Sequence, residues 1–126
     1  MPLYLDTHAV VWLYQDGAAR LSERGVLAIE TADAILVSPM VELELAYLQE
    51  IGRVTHAPAS ILDTLTRDLE LATCRLPFSS VVGEAARQTW TRDPFDRLIV
   101  AQAAHGAAPL LTADRNMLRH YPGAFW

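Results

Sequence analysis

Four short, mainly apolar runs limit the folds open to this chain. Leu3-Tyr4-Leu5 stops at Asp6, Ala34-Ile35-Leu36-Val37 stops at Ser38-Pro39, Leu71-Ala72-Thr73-Cys74-Arg75-Leu76 stops at Pro77, and Pro109-Leu110-Leu111-Thr112 leads to Ala113-Asp114. Runs this short and apolar read as buried strands. Helical stretches separate them. Thr7–Tyr14 carries Val10, Val11, Leu13 and Tyr14 on one face and ends at Asp16-Gly17, and Ser22 caps a helix to about Ala32. Pro39 opens a helix that Gly52 closes, and Ser60 with Asp63 resembles a capping box for a helix to about Glu70. Ser79 or Ser80 opens another to about Thr89, Asp93–His105 follows, and Ala113–Tyr121 is the last, leaving Phe125-Trp126 as a tail. Strand and helix in alternation predict an α/β fold, with a central, mostly parallel sheet of four to five strands between helices. The 126 residues form a single domain, 1–126, without repeats or a linker.

In open parallel sheets, sites form beyond the carboxyl ends of the strands. Acids gather there. Asp6 ends the first strand, Asp114 follows the fourth, and Glu44 lies on the helix after the second. Asp96 falls in the first turn of the Asp93 helix and heads a stripe continued by Val100 and Ala103. Each acid alone has a structural reading. Asp6 and Asp114 are plausible helix caps, Asp93 caps its own helix ahead of Pro94, and Glu44 resembles an exposed helical acid such as Glu42. Together they point to metal. Clustered carboxylates repel and raise one another's pKa, and hard divalent cations relieve that repulsion. Mg²⁺ or Mn²⁺ held there would supply an activated water for displacement at phosphorus.

Composition bears on this reading at two points. The net charge of −5 argues against a simple basic nucleic-acid binder, yet all ten basic residues are arginine, the better bidentate partner for phosphate. The single cysteine, Cys74, excludes a disulfide framework and suits a reducing compartment, so the expected location is cytoplasmic, with no membrane span.

The chain resembles the PIN-domain ribonucleases of the VapC toxin type. The matching stretches are Leu5-Asp6-Thr7-His8, Ser38-Pro39 with Leu43-Glu44-Leu45-Ala46 and Gly52-Arg53-Val54, Asp93-Pro94-Phe95-Asp96-Arg97 with Ala101-Gln102-Ala103, and Leu111-Thr112-Ala113-Asp114. The resemblance implies a three-layer α/β/α PIN-like fold and an Mg²⁺- or Mn²⁺-dependent endoribonuclease. Its catalytic and metal-holding acids fall on Asp6, Glu44, Asp96 and Asp114. Asp93 matches an accessory acid, and Asn116 stands where a further acid often occurs. Arg92 replaces a histidine, and Thr7, Ser38 and Thr112 match small hydroxyl residues that support the acids. It also implies an RNA substrate such as a tRNA, inhibition of translation until a VapB-like antitoxin binds, a homodimer, and DNA contact only through the antitoxin. Stand-alone PIN nucleases and catalytically silent PIN modules are the alternatives. A haloacid-dehalogenase-type phosphatase needs a second aspartate where His8 stands.

Arg97 and Arg115 flank the acids as candidate phosphate contacts, although Arg97 is also placed to pair with Asp93. His8 is read as structural, Trp12, Tyr47, Trp90 and Trp126 as core or interface aromatics, and Cys74 as an inert buried thiol.

Overall fold

The computed structural model describes residues 1–126. Its elements are β1 (Leu3–Leu5), α1 (Thr7–Asp16), a 3-10 turn (Gly17–Arg20), α2 (Glu23–Thr31), β2 (Ile35–Val37), α3 (Pro39–Glu50) and α4 (Pro58–Leu69). Then come β3 (Ala72–Thr73), α5 (Phe78–Ala85), α6 (Pro94–Ala104), β4 (Leu110–Leu111), α7 (Arg115–His120) and β5 (Ala124–Phe125). The five strands form one sheet in the order β3-β2-β1-β4-β5, and every pairing is parallel.

All three residues of β1 are buried. Successive side chains point to opposite faces of a sheet, so helices must cover both, which is the three-layer arrangement expected. The core runs through Leu5, Val37, Leu110 and Leu111 on the sheet and Val10, Val41, Leu45, Ile61, Ile99 and Val100 on the helices. Gly25 on α2 allows close approach on one side, because a Cβ there would sit 3.2 Å from Leu111 Cδ1.

Several boundaries differ from expectation: of the run Leu71–Leu76 only Ala72–Thr73 pairs as a strand, and α5 stops at Ala85 instead of near Thr89. Helix α4 begins at Pro58 behind Ala57, so Ser60 lies inside the first turn and cannot cap it. Helix α5 begins at Phe78 behind Pro77, with no side-chain cap from Ser79 or Ser80. The tail is not loose: Ala124 and Phe125 pair with Leu110 and Leu111 as a fifth, edge strand. No helix is long and apolar enough to cross a membrane.

Glu70 ends α4 in the left-handed region, at φ 55°. A side chain is strained there and glycine is not. Glu70→Gly is therefore expected to stabilise the fold by about 0.5–1 kcal/mol, read as a higher urea midpoint.

Candidate active site

The chain runs outward from β1 through β2 to β3, then crosses back to β4 and β5. The direction of winding therefore reverses between β1 and β4, and a crevice forms beyond the carboxyl ends of strands at such a point. Asp6 and Asp114 follow those two strands.

Asp6 is 4% exposed. Its backbone N–H donates to the Leu111 carbonyl at 3.0 Å, which extends the sheet by one residue. Its carboxylate Oδ1 accepts from the Thr7 N–H at 2.7 Å and Oδ2 from the Thr112 hydroxyl at 2.8 Å. Burial pushes the Asp6 carboxyl up from its ordinary value. The bonds from Thr112 and Thr7 and the nearby His8 pull the other way, and Asp114 adds repulsion.

Thr112 is fully buried and carries a second duty: its oxygen accepts from the Asp114 N–H at 3.0 Å. Asp114 in turn caps α7, accepting at Oδ1 from the Asn116 and Met117 N–H groups at 2.8 and 2.9 Å. One hydroxyl thus ties the acid after β1 to the acid after β4.

Asp93 caps α6 through the N–H groups of Phe95 and Asp96 at 2.8 and 3.1 Å. That fixes the first turn, on which Asp96 sits part-buried. Burial pushes the Asp96 carboxyl up to about 7, and Asp93, Asp114, Asp6 and Glu44 all push in the same direction. Glu44 reaches the group from α3, whose start is fixed by Ser38 accepting from the Met40 N–H at 3.1 Å. Burial raises its carboxyl too, and Asp6 and Asp93 add to the rise. The Thr7 hydroxyl and His8 offset part of it, the hydroxyl without closing a hydrogen bond of normal geometry. The acids expected to converge from four segments therefore do act on one another. Glu42, the other acid on α3, is exposed.

Two of the flanking residues behave differently. Arg97 does not pair with Asp93. Its Nε and Nη2 donate to the Ala85 and Ala86 carbonyls at the end of α5, at 3.1 and 3.3 Å. Arg115 is exposed and in no ion pair, and Asn116 is exposed on the same turn. His8, read as structural, is exposed, and its nearness holds down both Asp6 and Glu44. Its place two residues after Asp6, in the first turn of α1, was the available signal. Cys74 is a free thiol buried in the core, as expected, and its sulfur accepts from the Tyr4 hydroxyl at 3.1 Å.

The donor set suits a hard, hydrated cation. The donors are carboxylate oxygens, and three of these carboxyls are raised by burial and mutual repulsion, which a positive charge would relieve. Thr7 Oγ1 is fully buried with no hydrogen-bond partner, so the site leaves a polar atom beside Asp6 and Glu44 unsatisfied. No three acids lie close enough to cage an ion unaided. Mg²⁺ needs no such cage, because it keeps several of its waters and uses one or two carboxylates.

Asp93→Ala is expected to cost about 1 kcal/mol of stability through the lost cap, read by thermal melting, and to let Asp96 titrate lower.

This fold is that of a PIN domain. The PIN domain family pattern matches residues 3–123, and the chain belongs to that family. Within it the chain is of the VapC type: it is 32% identical over 118 residues to Ribonuclease VapC22 of Mycobacterium tuberculosis (strain ATCC 25618 / H37Rv), covering 92% of this chain and 89% of that protein. Two solved structures share the fold. One is VapBC2 from Rickettsia felis bound to a DNA fragment from their promoter, with a TM-score of 0.68 and 21% identity over 99% of this chain and 96% of that chain. The other is DNA-bound VapBC from Salmonella typhimurium, with a TM-score of 0.59 and 19% identity over 98% and 95% of the two chains.

Proposed function

We propose that this PIN domain is an Mg²⁺- or Mn²⁺-dependent endoribonuclease that hydrolyses phosphodiester bonds in RNA, and that it acts as a VapC-type toxin. The observation that carries this reading is the electrostatic convergence of Asp6, Glu44, Asp93 and Asp114 on Asp96 at the winding reversal of the sheet. The likeness to a protein named as a ribonuclease supports it.

Asp6, Glu44, Asp96 and Asp114 are the residues that would hold the cation. When bound, the cation supplies Lewis acidity and a more acidic water for attack at phosphorus. The chain's own part is positional. Thr112 and the Thr7 N–H hold the Asp6 carboxylate in one orientation. Asp93 sets the turn that presents Asp96, and Asp114 is held in its cap while Oδ2 stays free of the helix N–H groups. The exposed Arg115 is the phosphate contact. Hydrolysis by this route leaves 5′-phosphate and 3′-hydroxyl ends.

The proposal extends to partners. A VapB-like antitoxin with a basic segment fits an edge with this excess of carboxylates, and the two VapBC structures of similar fold support that partner. A structured RNA such as a tRNA is the substrate, growth and translation stop when it is cut, and the toxin is a cytoplasmic homodimer that meets DNA only through the antitoxin.

Purified, antitoxin-free protein is expected to cut RNA in Mg²⁺ or Mn²⁺ and to lose that activity in EDTA. Equal cleavage in EDTA overturns the metal dependence, and no cleavage in either metal overturns the nuclease reading. Sequencing the RNA ends made after induction in cells identifies the target.

A further inference from the structure

The acid edge is flanked on its α1 side by aromatic and cationic side chains that the cleavage chemistry does not use. His8 is exposed, and its ring centroid lies 6.2 Å from that of Trp12, one turn along α1. Trp126 meets Trp12 edge to face, with centroids 5.3 Å apart and planes at 79°. The Arg20 guanidinium lies over the Trp12 ring, 4.3 Å from its centroid. The far end of the strip also returns to the site. Trp126 follows Phe125, whose carbonyl accepts from the Thr112 backbone N–H at 2.9 Å, and Thr112 is the residue that holds Asp6. His8 and Trp126 thus adjoin the acids from two different elements.

None of these groups is closed off. Trp12 and Trp126 rest against the core yet keep part of their surface in solvent. The Arg20 side chain is 51% exposed, and its one ion pair, with Asp16 at 3.8 Å, is long and solvated. Such a pair holds little and yields to a better anion.

The acid edge itself repels a polyanion, because Asp6, Glu44, Asp93, Asp96 and Asp114 all stand there. An RNA chain has to be held from beside it. A nucleobase offers a π-face for indole or imidazole, and guanidinium offers both a planar cation for stacking and a fork for phosphate. Resting on the ribonuclease reading, we propose that His8, Trp12, Trp126 and Arg20 form the track along which an unpaired RNA segment reaches the acids. Bases inside a duplex are stacked on one another and cannot reach these rings. Selectivity then comes from which loop or end can splay its bases onto the strip.

The test compares the same RNA sequence presented unpaired and as a full duplex, in Mg²⁺. Wild-type protein is expected to cut the unpaired form at least about tenfold more efficiently. Trp126→Ala is expected to raise KM for unpaired RNA about tenfold, with a smaller effect on kcat, and Trp126→Phe to recover most of the loss. Arg20→Gln is expected to raise KM severalfold and to flatten its salt dependence. Unchanged KM in folded Trp126→Ala and Arg20→Gln proteins, or equal cutting of duplex, overturns the track. Binding of unpaired RNA to the Asp96→Asn protein, followed by quenching of tryptophan fluorescence, separates the two readings. Tight, Trp126-dependent binding by a protein whose wild type never cuts sinks the nuclease and keeps the track. Cleavage with Trp126-independent binding does the reverse.

Discussion

Asp96→Asn is expected to lower RNA cleavage in Mg²⁺ by about 10²–10³-fold while making the metal-free protein more stable at pH 8. The two effects have one origin. Asp96 stands among four other carboxylates, so added positive charge helps there and its own negative charge is costly. Its loss removes several kcal/mol of charge stabilisation from the loaded site. In EDTA the sign reverses. The folded protein holds the Asp96 proton up to about pH 7, against an ordinary value of 3.8 in the unfolded chain. The folded state therefore binds more protons through that window, and metal-free stability falls as pH rises from about 4 to about 7. Glu44 and Asp6, both raised, steepen the fall. The full Asp96 shift corresponds to about 4 kcal/mol. Its part-exposed position reduces that to about 1–3 kcal/mol recovered in the asparagine variant. Thermal melts from pH 4 to 8 in EDTA, beside cleavage rates in Mg²⁺, check both halves. A variant that loses activity without gaining metal-free stability at pH 8 would show that Asp96 is not the crowded carboxyl described here.

Thr112→Val is the second large effect, although the residue touches no substrate. The hydroxyl donates to Asp6 Oδ2 and accepts from the Asp114 N–H, all in a buried setting. Valine keeps the shape and removes both bonds. A buried carboxylate left short of a donor costs about 2–3 kcal/mol. Released from its partner, Asp6 loses its fixed orientation, and cleavage is expected to fall about 10–100-fold, the usual penalty for losing a group that orients a metal ligand. Thr112→Ser should restore most of both. Isothermal Mg²⁺ titration distinguishes this positioning role from simple loss of fold: the valine variant should bind the ion more weakly while still melting cooperatively. Unchanged Mg²⁺ affinity and rate would remove Thr112 from the site.

What the sequence disclosed, and what it hid, follows from range. Local signals were legible. Asp93-Pro94 marks the start of α6, Ser38-Pro39 the start of α3, and the apolar runs mark β1, β2 and β4, because each depends on neighbours a few residues away. The placement of Asp6 and Asp114 after strands was legible for the same reason. The capping box at Ser60 failed because Pro58 two residues earlier starts the helix better. The edge strand Ala124–Phe125 was hidden because two residues carry no periodicity of their own, and only β4 makes them a strand. The partner of Arg97 was hidden as well. The α6 spacing suggests Asp93, whereas the end of α5, brought alongside by folding, offers the Ala85 and Ala86 carbonyls. The role of Thr112 as a tie between two acids spans 106 residues and has no local trace.

That span has a consequence for synthesis. Asp6 is made more than a hundred residues before its Thr112 partner and the β4 carbonyl that receives its N–H. Strand β1 is central, and until β4 arrives one of its edges is unpaired. A nascent chain still on the ribosome therefore carries Asp6 and Glu44 without the other half of their crevice. The proposed metal site is therefore incomplete in any chain that stops short of Asp114.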